Sequence, residues 1–174
     1  MKVELWYEQY AEIIYKYILF LVKDHQAAED LTQETFIKAF IHSEQFKGIS
    51  EVKTWLYRIA YTTTMNYFRK KHPITTLLDI SIKEKSAEES FFEQEDLDEI
   101  FNSISRLKLS YRQVIILRKI QRLTIKETST VLNWSESKVK TTLNRALKAL
   151  QVILSEQGGM NVEPLPRQTI QKVK

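Results

Sequence analysis

The chain has 174 residues, 43% hydrophobic and 28% charged, enough to bury the core of one or two compact units. It has no cysteine, which excludes disulfide scaffolds, thiolate zinc sites and thiol nucleophiles. With only three Gly and three Pro, it offers few of the turns that a sheet protein needs, so an all-α fold is predicted.

Charge is distributed unevenly along the chain, although the net charge is only +4. Residues 73–99 carry two basic and nine acidic side chains, whereas residues 100–154 carry eleven basic and two acidic ones. A basic unit therefore follows an acidic segment, and a basic unit suits a polyanionic partner. The apolar run over residues 13–22 contains Lys16 and lacks a basic leader and a cleavage site, so neither a signal peptide nor a membrane span is expected.

Three amphipathic helices are predicted in the first half. Apolar side chains recur at steps of three and four over residues 5–22 and 26–42, and a third helix is predicted over residues 52–71, before Pro73. Gly48 and Ser50 indicate a loop between the second and third helices. The inward face of the second helix is predicted to contain Ala28, Leu31, Thr35, Phe36, Ala39 and Phe40.

The outer faces of two of these helices differ in chemistry. The second helix carries Glu29, Asp30, Gln33 and Glu34, which suit docking on a basic protein surface but equally fit solvated acids near a helix N-terminus. The third has five cations and no acid between Lys53 and Lys71. Its predicted outward set is Thr54, Arg58, Tyr61, Thr62, Met65 and Arg69, and its inward set is Trp55, Leu56, Ile59, Ala60, Thr63 and Tyr67. Cations among aromatic side chains fit unpaired nucleic acid, although a solvated cationic face shows the same pattern.

The second half ends in a helix-turn-helix pattern. A helix over residues 110–122, capped by Ser110, precedes a short helix capped by Thr124; Asn133 suits a left-handed turn and Ser135 caps the last helix. That last helix turns Val139, Leu143, Ala146, Leu147 and Leu150 inward. Its outward Lys140, Thr141, Asn144, Arg145 and Lys148 fit a DNA major groove, and the alternative is a solvated helix of a helical hairpin.

Three motifs together resemble a known family. The segments AEDLTQETF at residues 28–36 and WLYRIA at residues 55–60, followed by the helix-turn-helix over residues 123–150, are similar to regions 2 and 4 of extracytoplasmic-function (ECF) sigma factors. The resemblance implies region 2 over residues 1–72, a flexible linker over 73–91, region 4 over 92–154 and a flexible tail over 155–174. It further implies binding to core RNA polymerase and initiation at promoters with minus-10 and minus-35 elements, in an envelope or other stress response.

The resemblance also assigns site residues. Contacts to the clamp helices of core polymerase are expected from Asp30, Gln33 and Glu34. Contacts to the minus-10 element are expected from Phe46, Lys47, Gly48, Lys53, Arg58, Tyr61 and Thr62. Contacts to the minus-35 element are expected from Lys138, Lys140, Thr141, Asn144, Arg145 and Lys148. The other expected partner is an anti-sigma factor, which in this group can be a membrane protein, and the expected location is the cytoplasm. No cofactor, metal or catalytic residue is expected.

Four positions depart from the family pattern. Thr62 and Asn66 stand where members often have Asn and Asp, and Ser129 and Asn133 stand where the turn usually has Ala and Gly. Thr62 leaves the identity of the recognised minus-10 base open. Ser129 and Asn133 are small, and Asn accepts the left-handed backbone, so the turn is expected to be only slightly weakened.

Three other classes of function compete with this one. An enzyme is disfavoured because the three His lie on separate segments and no phosphate loop or nucleophile motif is present. A helix-turn-helix repressor or activator would share the recognition helix but bind duplex operator without polymerase. A helical adaptor that binds only proteins would explain the acidic face and leave the basic second half without a role.

Overall fold

The computed structural model describes residues 2–46, 48, 51–71 and 95–156. They form seven α-helices: α1 Lys2–Val22, α2 His25–Ile41, α3 Val52–Lys71, α4 Glu95–Ser105, α5 Leu109–Ile115, α6 Ile125–Leu132 and α7 Glu136–Glu156. A 3-10 turn at Ser43–Gln45 follows α2, and a π-helical turn at Ile116–Ile120 continues α5. This part of the chain contains no strand, so the all-α prediction is confirmed. The predicted linker, residues 73–91, and the predicted tail beyond residue 156 lie outside the described residues.

The first half is a bundle of α1, α2 and α3. Lys23, with φ of 56°, ends α1, and the Asp24 carboxylate caps α2 by accepting a hydrogen bond from the Ala27 amide at 2.9 Å. At the end of α1, residues 17–22 are all buried, although an amphipathic helix normally buries one face only. The end of α1 is therefore covered on both sides.

The second half supplies that cover. Phe101 of α4 packs on Phe20 of α1, with ring centroids 5.0 Å apart, and α3 packs on α6. The buried apolar side chains of both halves form one continuous cluster. Among the described helices, none combines the length and apolar character needed to cross a bilayer.

The local structure of the second half follows the sequence prediction at three of four caps. Thr124 and Glu127 form a reciprocal capping box, Asn133 is left-handed at φ 56° and ψ 46°, and Ser135 accepts a hydrogen bond from the Lys138 amide. The Ser110 cap was wrong, because α5 begins at Leu109 and Lys108 holds the cap position without a side-chain bond.

Two predicted orientations were also wrong. Phe40, expected inward, is 68% exposed, because the described residues cover α2 on the face that carries Ala28, Leu31, Phe36 and Ala39. On α3, Thr54 was expected outward and is buried. The outward face of α3 is covered because the second half packs there.

Candidate functional site

The outward face of α7 is cationic and open to solvent. Six predicted DNA contacts are exposed on it: Lys138, Lys140, Thr141, Asn144, Arg145 and Lys148. At about 100° per residue they spread over roughly half of the helix circumference, opposite the buried Val139 and Ala146. No carboxylate lies between Lys138 and Lys148. The face therefore presents donors of the kinds that contact phosphates and base edges in a major groove.

The turn that positions α7 is tied by two hydrogen bonds. The Ser129 hydroxyl donates to the Trp134 carbonyl at 2.6 Å, and the Trp134 amide donates to the Ser129 carbonyl at 3.1 Å. The Lys138 ammonium lies 4.2 Å from the centroid of the Trp134 ring. Ser129, a departure from the family pattern, thus contributes a bond that Ala could not make.

The predicted minus-10 residues fall into two groups. On α3, Arg58 lies over the Tyr61 ring at 5.7 Å, and the Thr62 hydroxyl donates to the Arg58 and Ile59 carbonyls of its own helix. Burial raises the pKa of the Tyr61 phenol, while Arg58 acts in the opposite direction. These three side chains are half-buried, so they form a recessed surface.

The loop residues of the same prediction lie beyond the start of α3. The Phe46 ring is partly buried against Trp6 and Trp55, at centroid distances of 5.6 Å and 5.2 Å. Gly48 is exposed, and a Cβ added at this position would meet no atom within 4 Å. Its positive φ of 68° is a conformation that glycine adopts without strain, so the backbone conformation, and not steric crowding, favours glycine here. Lys47 lies outside the described residues. The aromatic cluster therefore anchors the loop at its first residue.

Two of the predicted minus-10 cations bind the second half of the chain. The Lys53 ammonium donates to the Gln121 carbonyl at 3.2 Å, and the Arg58 guanidinium donates to the Val131 carbonyl at 2.8 Å. Beside them, the Tyr57 hydroxyl donates to the Gln121 side-chain oxygen at 2.6 Å. Burial raises the pKa of Tyr57, so its hydroxyl remains a donor at any physiological pH.

Thr54 and Glu127 add a further contact between the halves. The Thr54 hydroxyl donates to a Glu127 carboxylate oxygen at 3.2 Å. Burial of Glu127 opposes its ionisation, but hydrogen bonds from Thr124 and Thr54, together with the charge of Lys53, outweigh it and lower the pKa. Glu127 is therefore charged at neutral pH.

The predicted polymerase contacts belong to a longer exposed stripe on α2. Asp30, Gln33 and Glu34 are exposed, and Glu34 pairs with Lys38 at 2.7 Å. At the next positions of the same face lie Ile37, Phe40 and Ile41, which are 60%, 68% and 64% exposed. We call these six residues the α2 stripe. Their spacing of i, i+3, i+4, i+7, i+10 and i+11 places them side by side.

Sequence reasoning missed the apolar half of this stripe and the contacts between the halves. The spacing of Ile37 and Ile41 from Asp30 and Glu34 was a usable signal for the stripe. Nothing comparable indicated Gln121 as a partner of Tyr57, since 64 residues separate the two. Among the described residues, no group of three or more His, Cys, Asp or Glu side chains could hold a metal ion.

Comparison with known proteins gives two matches in the order of the two halves. Residues 6–73 match the family described as Sigma-70 region 2, and residues 97–150 match Sigma-70, region 4. The chain belongs to the sigma-70 family. Its relatives place it in the ECF group, as an alternative sigma factor for bacterial RNA polymerase. Membership in this family decides against the repressor and adaptor interpretations.

Two relatives from Bacillus subtilis match most of this sigma factor. The ECF RNA polymerase sigma factor SigX is 35% identical over 157 residues, covering 85% of this chain and 81% of SigX. SigM is 32% identical over 166 residues, which cover 94% of this chain and 100% of SigM. The solved structure of sigma factor RpoE from Bartonella quintana, in complex with the anti-sigma factor NepR, has a TM-score of 0.73 at 20% identity, over 87% of this chain and 96% of RpoE. The fold is thus shared across both regions.

Proposed function

We propose that this sigma factor recognises promoters through two separate surfaces, α7 for the minus-35 element and α3 with its preceding loop for the minus-10 element. The carrying observation is the exposed α7 face, with four cations, one amide and one hydroxyl and no acid between Lys138 and Lys148. Lys and Arg neutralise phosphates and reach guanine acceptors, while Thr and Asn contact base edges.

Recognition of the minus-10 element is proposed to involve an unpaired strand. Extruding a base from the duplex costs a few kcal/mol, which stacking and charge contacts on the protein must offset. Arg58 and Tyr61 supply a cation and a ring on one recessed surface of α3, and Phe46 anchors the loop beside it. The protein acts by binding a melted strand and carries out no covalent chemistry.

Docking on core polymerase is proposed to use the whole α2 stripe. Asp30 and Glu34 provide charge for a basic partner. Ile37, Phe40 and Ile41 provide apolar area that no other described part of the chain covers. Complementary charge steers association, whereas a buried ring contributes most of the affinity. An anti-sigma factor is proposed as a further partner, which the RpoE–NepR complex supports by analogy. The site of action is proposed to be the cytoplasmic nucleoid, during a stress response.

Run-off transcription with purified core polymerase and genomic promoter fragments tests this function. Adding the protein should produce initiation at discrete start sites. If no fragment shows such initiation, the proposal is overturned. Two variants separate the surfaces. Asp30→Ala with Gln33→Ala should weaken binding to core and leave duplex binding unchanged, whereas Arg145→Ala should weaken duplex binding and leave core binding unchanged. The control Glu12→Gln changes an exposed charge on α1, outside all three surfaces.

A further inference from the structure

Lys138 occupies a position in α7 where a cation is unfavourable. Ser135 precedes the helix and accepts a hydrogen bond from the Lys138 amide at 3.2 Å, so Lys138 is the third residue of the first turn. The equivalent position of α6 carries Glu127, whose carboxylate completes the capping box with Thr124. The positive end of the helix dipole favours an acid there and disfavours a cation. Lys138 therefore forgoes a local gain in stability, which is typical of a residue kept for binding.

The ring of Trp134 holds the charged end of this side chain. In helices, long side chains point back toward the N-terminus, and the Lys138 ammonium accordingly lies 4.2 Å from the centroid of the Trp134 ring. The ring packs against the hydrophobic cluster, and its backbone is tied to Ser129 by the two hydrogen bonds of the turn. Trp134 thus forms a fixed platform on which an exposed lysine is placed.

Lys138 points in a different direction from the central residues of the α7 face. The buried Val139 and Ala146 define the inward direction of the helix. At about 100° per residue, Asn144 and Lys148 lie roughly opposite that direction, whereas Lys138 lies roughly at right angles to it. A helix that fills a major groove turns its central outward residues to the base edges and its marginal ones to the phosphates on either side. Lys138, on the margin of the face, is therefore placed for a phosphate.

We infer that Trp134 is a positioning residue for minus-35 binding, which holds the Lys138 ammonium ready for a phosphate at the edge of the groove. The inference rests on the proposed function of α7, and it assigns Lys138 to the DNA backbone and not to a base. A ring, unlike a carboxylate, leaves the charge of the ammonium available to a phosphate. A lysine held in place before binding also loses less rotamer freedom when DNA binds. The pair therefore strengthens binding to any duplex and contributes little to the choice of sequence.

Binding of the full-length chain to a fluorescent pool of short duplexes of mixed sequence tests the phosphate contact, because this contact does not depend on sequence. Affinity is measured over a series of salt concentrations. Lys138→Met keeps the apolar stem and removes the charge, so the slope of log affinity against log salt should decrease in magnitude by about one. An unchanged slope would overturn the phosphate contact.

Lys108→Met is the matched control for the loss of charge. Lys108 is also exposed and lies 4.3 Å from the centroid of the Tyr111 ring, but it precedes α5 and is outside the α7 face. This variant should leave the salt slope unchanged. An equal decrease in both variants would contradict a specific contact of Lys138.

A double-mutant cycle tests the role of Trp134. Trp134→Leu should lower duplex affinity about threefold in the parent, as the loss of one exposed cation–ring contact predicts, and should have no effect in Lys138→Met. Trp134→Tyr retains a ring and should keep the affinity close to that of the parent. Equal losses from Trp134→Leu in both backgrounds would show that the ring only supports the turn, which would overturn the positioning role. If circular dichroism shows lower helicity for Trp134→Leu, Trp134→Met takes its place in the cycle.

Arg145→Ala, on the same face of α7, separates failure of this inference from failure of the proposed function. Unchanged duplex binding in Arg145→Ala would refute the proposed role of the α7 face, and the inference with it. Weaker binding in Arg145→Ala, together with equal effects of Trp134→Leu in both backgrounds, would support that role and overturn only the inference.

Discussion

Replacing Arg112 by Met should make the protein more stable, although the change removes a hydrogen bond. The guanidinium is fully buried, and burial lowers its pKa by more than two units from its usual value to about 10. At about 1.4 kcal/mol for each pKa unit, keeping this group charged costs roughly 3 kcal/mol. Its bond to the Leu21 carbonyl returns about 1 kcal/mol. Met keeps the length of the apolar stem, so the free energy of unfolding should rise by about 2 kcal/mol.

Urea unfolding followed by circular dichroism measures the change, and thermal unfolding should show Tm higher by about 4–8 °C for a chain of this size. Arg106→Met is the matched control, because that guanidinium is half-exposed and pairs with Glu156 at 3.5 Å. Exposed pairs contribute at most about 1 kcal/mol, so this variant should be neutral or slightly less stable.

A loss of stability in Arg112→Met would refute the reasoning, since it would mean that the bond to Leu21 contributes more than burial costs.

Three further predictions concern single side chains. Phe40→Ala should lower affinity for core polymerase about tenfold with little change in stability, because the ring is exposed. Leu5→Ala, which changes an exposed side chain on α1, is the control. Equal losses of affinity in both variants would contradict docking through the α2 stripe. Glu127 has a pKa below its usual 4.5, so its charge stabilises the fold above that pH and ceases to do so as pH falls through the lowered pKa. The Tm difference between the parent and Glu127→Gln should therefore shrink on acidification, and a constant difference would contradict this sign. Asn133→Val should lower the free energy of unfolding in urea by about 1–2 kcal/mol, because a β-branched residue is strained in the left-handed backbone at φ 56°. Asn133→Gly should lower it little. Equal losses in the two variants would exclude backbone strain as the cause.

Local chemistry was predictable from the sequence where neighbouring residues determine it. The range of α3, the Thr124 capping box and the left-handed Asn133 all depend on side chains within a few positions of each other. The exposed cationic face of α7 followed from periodicity, because charged side chains opposite buried Val139 must face solvent. Each of these features is contained within one helix or one turn.

The features that sequence reasoning missed depend on distant parts of the chain. Thr54 and Tyr57 are buried because α6 and the π-helical turn lie on them, and their partners Glu127 and Gln121 are more than 60 residues away. Helical periodicity marks an apolar face but does not show which polar face another unit will cover. Phe40 illustrates the converse, since an apolar residue at an inward-looking position remains exposed.

The exposure of the three surfaces implies an order of events. The surfaces proposed for polymerase and for the minus-35 element, the α2 stripe and the outward face of α7, are exposed, whereas Arg58 of the proposed minus-10 surface donates to the Val131 carbonyl and must leave it to bind a strand. A phosphate is a stronger partner for a guanidinium than a neutral carbonyl, because hydrogen bonds between ionised groups are roughly twice as strong. The exchange is favourable once the regions part, but parting also separates Phe20 from Phe101 and exposes apolar area. Docking of the proposed polymerase partner on the exposed α2 stripe is therefore expected to precede strand binding at α3.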